Sequence, residues 1–160
     1  MLERTLLTDE EKVSESELWR SSLLTATQEV LETMFFTTVI GEGSASQEIV
    51  DARTARLCFR GDPSGGFGVS VSMNSARKIA ANFIGSETPD ELTASEIEDV
   101  VGELANMLCG SVLSGIRSGS HFDLTHPELF SEELDVPAGA ICSRIELEEG
   151  TLVSWLQLSA

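Results

Sequence analysis

A chain of 160 residues is long enough to bury a core and short enough that one domain is the default. Hydrophobic residues make up 41% and charged residues 23%, which fits a globular protein and excludes a disordered one. The net charge of -17, from 27 acidic against 10 basic residues, opposes binding to nucleic acid and to anionic membrane surfaces, because both gain mainly from Lys and Arg displacing counterions.

Residues 1–15 are polar and acidic, with Glu3, Asp9, Glu10, Glu11 and Glu15, and read as a loose arm ahead of a single domain over residues 16–160. The opening Met1-Leu2-Glu3-Arg4 lacks the apolar core of a signal peptide, and no later segment approaches the roughly 18 continuous apolar residues of a membrane span. Cys58, Cys109 and Cys142 are odd in number and far apart, so they predict reduced, buried thiols in a cytoplasmic protein.

A helical pattern starts at Glu17, where Leu18, Leu23, Leu24, Val30, Leu31 and Met34 recur at helix spacing, and is expected to end near Val39 and Gly41. A hairpin follows. It pairs Ala55–Phe59 with Phe67–Met73 across the Pro- and Gly-rich turn Gly61–Gly66. Two helices come next, a short one over Ser75–Ile84 and a long one over Ser95–Ile116, and then His121–Pro127 reads as extended chain stopping at a proline. A second hairpin pairs Ser143–Leu147 with Leu152–Leu158 across Glu148-Glu149-Gly150.

The order helix, hairpin, helix, hairpin suggests a diverged internal duplication, with Glu29–Met34 on the first long helix placed much as Glu103–Leu108 on the second. The simplest architecture is an α/β (α+β) sandwich with pseudo-two-fold symmetry, its long helices packed on an antiparallel sheet.

The long second helix carries the chemistry. At about 100° per residue, Ile97, Val100, Val101, Leu104, Leu108 and Val112 form one apolar stripe that packs inward. Asp99, Glu103, Asn106 and Gly110, spaced four, three and four apart, form a second stripe that meets solvent or a partner. Thr93 and Ser95 are candidate N-caps, and Glu96, Glu98 and Asp99 suit the positive end of the helix dipole. Gly102 and Gly110 sit inside this helix, where each costs about 1 kcal/mol relative to alanine. Close approach of another group to the helix would compensate for that cost. The same stripe would also serve merely to solvate an amphipathic helix, and a Glu-x-x-Asn string by itself is common.

Other candidates are weaker. His121-x-Asp123-x-x-His126 offers metal-ligand types, but the chain holds two histidines in all. No Gly-x-Ser-x-Gly elbow supports a serine nucleophile, and the Gly61–Gly68 stretch lacks the Gly-Lys-Ser/Thr ending of a phosphate loop and lies between strands. Trp19 and Trp155 are expected in the core.

Glu103-Leu104-Ala105-Asn106-Met107-Leu108-Cys109-Gly110 resembles the E-x-x-N phosphatase signature of the CheC and CheX proteins, in which an Asp or Ser stands four residues upstream, as Asp99 does here. The signature continues to a downstream proline that Pro127 resembles, at a slightly shorter spacing, and Ala26–Phe35 is similar to a CheX opening helix. CheC-type members commonly carry E-x-x-N in each half. Here the first half reads Glu29-x-x-Glu32, so a single site, as in CheX, is expected.

The resemblance implies a phosphatase acting on the phosphoaspartate of a CheY-like response regulator. Asn106 would position the attacking water, Glu103 would pair with the regulator's lysine, and Asp99, Gly102, Gly110 and Pro127 would support docking. A response regulator brings its own Mg²⁺, so no cofactor of the chain's own is expected. A homodimer is implied as well. The alternative is a non-catalytic module of the same fold that docks on a response regulator or a flagellar-switch component.

Overall fold

The computed structural model describes residues 9–43 and 48–159. Helix α1 spans Asp9–Met34, strand β1 Val39–Glu42, β2 Ala52–Arg60 and β3 Gly65–Ser72. Helix α2 follows at Met73–Ile84, a 3₁₀ turn at Pro89–Glu91, and helix α3 at Ala94–Ile116. The chain closes with β4 at Asp123–Leu124, β5 at Glu128–Phe130, β6 at Ile141–Leu147 and β7 at Gly150–Leu158.

The strands form one antiparallel sheet in the order β1-β6-β7-β3-β2-β4, with β5 also on β2. The two expected hairpins lie side by side, joined through β3 and β7. Each long helix is followed by a strand that joins the outer edge of the other half's hairpin, β1 on β6 and β4 on β2. The duplicated halves are therefore interlocked. Helix α2 is inserted between them.

Strand alternation sorts the side chains. Ala55, Leu57, Phe59, Phe67, Val69, Val71, Ile145, Leu147, Leu152 and Leu156 turn to one face and form a single core with residues of all three helices. The apolar stripe of α3 is buried as its spacing requires. On α1 the inward residues include Trp19, Leu23, Val30 and Leu31, whereas Leu18 and Met34 are exposed. The other sheet face is crossed by a strap over residues 131–140. Thr54 Oγ1 donates to the Glu132 carbonyl at 2.6 Å, and Gln157 Nε2 donates to the Ala138 carbonyl at 3.2 Å. Trp155 is buried on this outer face, so of the two tryptophans Trp19 alone belongs to the main core.

Four expectations need correction. Residues 9–15 already belong to helix α1 and are not a loose arm, and residues 1–8 of that arm lie outside the described residues. Helix α1 also stops at Met34, before the expected end. Phe36 takes a left-handed φ of 49°, and the Thr37 amide donates back to the Leu31 carbonyl at 2.9 Å, a helix-ending turn that frees Val39–Glu42 to form β1. The Gly-rich turn is shorter than expected, since Gly65 and Gly66 already pair with Phe59 and Cys58. Met73 opens α2 rather than ending β3, because Ser72 caps that helix through the Ser75 amide at 3.2 Å. Among the described residues no helix is long and apolar enough to cross a membrane.

Candidate functional site

Helix α3 is fixed at its start by a capping box. The Thr93 hydroxyl accepts from the Glu96 amide at 3.1 Å, and the Glu96 carboxylate accepts from the Thr93 amide at 3.0 Å. The bond from the Thr93 amide first, and then a bond donated by the Thr93 hydroxyl to the same carboxylate oxygen at 3.0 Å, hold the Glu96 carboxyl below its ordinary pKa. From that start the helix runs over the sheet with its apolar stripe down, which turns Asp99 and Glu103 to solvent and leaves Asn106 half-buried.

Beside this face runs the segment His126–Phe130, carried by β5. Its register sets Leu129 opposite Ala55 on β2. Alternation sends Glu128 and Phe130 to the outer side, where Arg56 meets the Glu128 carboxylate at 3.4 Å and stands 5.0 Å from the Phe130 ring centre. Leu129 turns towards α3. The helix accepts the segment because position 102 has no side chain: a β-carbon there would stand 3.3 Å from Leu129 Cδ2 and 3.7 Å from Pro127 Cβ.

The result is a cleft of about 330 Å³ lined by Asp99, Gly102, Glu103, Asn106, His126, Pro127 and Leu129. It brings together five of the six residues expected from the sequence. The sixth, Gly110, lies one turn beyond Asn106 outside that lining, and a β-carbon on it would meet nothing within 4 Å. The close approach predicted for the helix glycines thus holds at Gly102. At Gly110 the space next to the helix is open.

Among the described residues, the side chains of Asp99, Glu103, Asn106 and His126 make no hydrogen bond or ion pair. The neighbouring Glu98, by contrast, is committed to Arg53 at 3.6 Å. The cleft offers two carboxylates, a carboxamide and an imidazole, and its lining contains no lysine, arginine, hydroxyl or thiol. Carboxylates at this spacing attract a cation, and a carboxamide can accept from water while donating to an anionic oxygen.

Leu129 carries no site signal in the sequence, and His126 is raised there only as a metal-ligand type beside His121. Their signal is the chain's return to α3 at Pro127, with a leucine brought opposite a helix glycine. His121 instead pairs with Asp123 at 3.0 Å on the surface, apart from His126. No group of three or more His, Cys, Asp or Glu is placed to hold a metal ion among the described residues. Glu29 and Glu32 of the first half are exposed on α1.

Solved structures with this architecture include a CheX from Vibrio vulnificus, 21% identical, with a TM-score of 0.71 over 88% of this chain and 96% of that one. A CheX from Desulfovibrio desulfuricans is 20% identical, with a TM-score of 0.68 over 88% and 99%. The CheX of a CheX-CheY-BeF3-Mg+2 complex from Borrelia burgdorferi is 17% identical, with a TM-score of 0.70 over 89% and 98%. The fold is therefore that of the CheX and CheC proteins. No curated protein matches the chain in sequence. The family model described as chemotaxis phosphatase CheX matches residues 53–137, more than half of the chain and all of the cleft, and the chain belongs to that family.

Proposed function

We propose that the protein hydrolyses the phosphoaspartate of a CheY-like response regulator, working as a protein-aspartyl-phosphate phosphatase in the cytoplasm. The observation that carries this reading is the set of uncommitted side chains on α3, Asp99, Glu103 and Asn106, facing one cleft in a chain of the chemotaxis-phosphatase family. The Borrelia relative, crystallised with CheY, BeF3 and Mg+2, supports a regulator as the partner.

A phosphorylated regulator holds Mg²⁺ and a lysine around its acyl phosphate, so the chain need only bring a water into line. The Asn106 carboxamide accepts a hydrogen bond from that water and donates one to a phosphoryl oxygen. Water adds to phosphorus as the bond to the aspartyl oxygen breaks, giving inorganic phosphate and the regulator's carboxylate. Glu103 pairs with the regulator's lysine, and Asp99, Gly102, Gly110 and Pro127 shape the docking face. Association as a homodimer is in keeping with the free outer edge of β1, where Ile40 is exposed.

The test is to phosphorylate the CheY-like regulators of the source organism with acetyl phosphate and follow their decay with and without the protein. Accelerated decay of at least one regulator, lost in Asn106→Ala, is expected. Unchanged decay across the whole panel overturns the reading.

A further inference from the structure

Of the large apolar side chains exposed among the described residues, Leu129 is the one that borders the cleft of Glu103 and Asn106. It is 40% exposed although its strand is paired to β2 and its end lies against Gly102. The backbone pairing and the helix contact hold it in place, and the exposed part is left for a second body. On the other side of Pro127, the exposed His126 imidazole has no hydrogen-bond partner of its own among the described residues.

We propose that His126 and Leu129 form a second wall of the regulator-docking surface, with Leu129 as an apolar anchor that helps decide which regulator fits. This rests on the phosphatase reading above. A regulator brought onto Asn106 must also cover the rim of the same cleft, and that rim is this segment. An ordered leucine at the centre of a contact contributes through burial and excludes water from adjacent polar pairs, which strengthens them. The polar residues of α3 would act on the phosphoryl group common to all regulators. The segment from β5 meets whatever surface surrounds it, so it discriminates between regulators. Leu129 is a docking residue in this scheme and takes no part in the chemistry.

The experiment uses the full chain and the regulator that the wild type dephosphorylates best. Leu129→Ala is expected to raise KM about tenfold and to weaken binding to the beryllofluoride-treated regulator by a similar factor, with kcat within about twofold. Val136→Ala, which shortens an exposed apolar residue on the strap, is expected to match the wild type. Should Leu129→Ala lose its fold by circular dichroism, Leu129→Met and His126→Ala decide the matter, the first close to wild type and the second raised severalfold in KM. A folded Leu129→Ala with wild-type KM, or a loss confined to kcat, overturns the proposal while leaving the phosphatase reading intact. A wild type that dephosphorylates no regulator removes both.

Discussion

Trp155 lies over Gly68, its register partner across the β3–β7 pair, so closely that a β-carbon on Gly68 would clash with the six-membered edge and the nitrogen of the indole. This contact sits at the seam where the two halves of the molecule join, on the sheet face beneath the strap. The indole is buried and hemmed in, so it has little room to retreat. Gly68→Ala should cost about 3 kcal/mol, at the upper end of overpacking effects. A urea titration reads the loss as a lower midpoint, and an unchanged midpoint would show that the indole can move aside.

The cap of α3 is the second point of leverage on stability. Thr93→Ala removes the acceptor for the Glu96 amide and should cost about 1 kcal/mol. Because the Glu96 carboxyl is held below its ordinary pKa in the fold, its ionised form stabilises the native state. That contribution is present above the unfolded pKa and is lost as pH falls through the folded one. Glu96→Gln should therefore flatten part of the acid limb of a stability-against-pH curve, and Thr93→Ala should do so in part. An acid limb identical to wild type in both variants contradicts the assignment.

The thiols give a check on burial that is independent of function. Burial pushes the Cys109 thiol up to about 12, so at pH 8 roughly one molecule in ten thousand carries a thiolate there. Cys142 is also raised by burial, opposed by Arg144 and Arg20, whereas Cys58, contrary to the buried thiol expected there, is exposed on β2. Iodoacetamide should label Cys58 first, Cys142 slowly and Cys109 only in denaturant, as read by mass spectrometry of tryptic peptides. Early labelling of Cys109 would mean that α3 does not pack as described.

Helix α3 was legible because several local signals agree on it: a capping threonine, an unbroken apolar stripe and two interior glycines that ask for an explanation. Strand β1 was hidden because no Gly or Pro separates Met34 from Val39, so its β-branched residues read as the end of the helix, and the chain turns instead at Phe36. The three-residue β5 is too short to show a period. What it contributes to the site arises from pairing with β2, a contact between residues far apart in sequence. Leu129 has no sequence signal for that reason and His126 shows only as a metal-ligand type, while Asp99, Glu103 and Asn106 can be grouped because one helix carries all three.

Gly110 separates folding from docking. A β-carbon there meets nothing within 4 Å, and leucine is a better helix former than glycine, so Gly110→Leu should fold at least as stably as wild type. If the regulator lies along the stripe from Glu103 past Asn106, the added side chain blocks it and should reduce binding about tenfold or more. Thermal unfolding and a binding titration with beryllofluoride-treated regulator read the two effects separately. Normal binding by the folded variant would show that the interface ends before Gly110.

Glu103 and Asn106 lie on adjacent turns and face the same cleft, yet the roles proposed for them differ, and kinetics can separate them. A group that acts only in the transition state contributes nothing to ground-state affinity. Asn106→Ala should therefore lower kcat about a hundredfold or more and leave binding to the beryllofluoride-treated regulator nearly unchanged. Glu103→Ala would remove the ion pair proposed with the regulator's lysine, so it should weaken binding as well as slow turnover. Glu32→Ala, at the corresponding place on α1 where a carboxylate replaces the carboxamide, should leave both within about twofold. Time courses of phosphoregulator decay, run beside a binding titration, give the two constants for each variant. Full activity in Asn106→Ala would remove the water-positioning role, and a severe loss in Glu32→Ala would move the site to the other half of the duplicated fold.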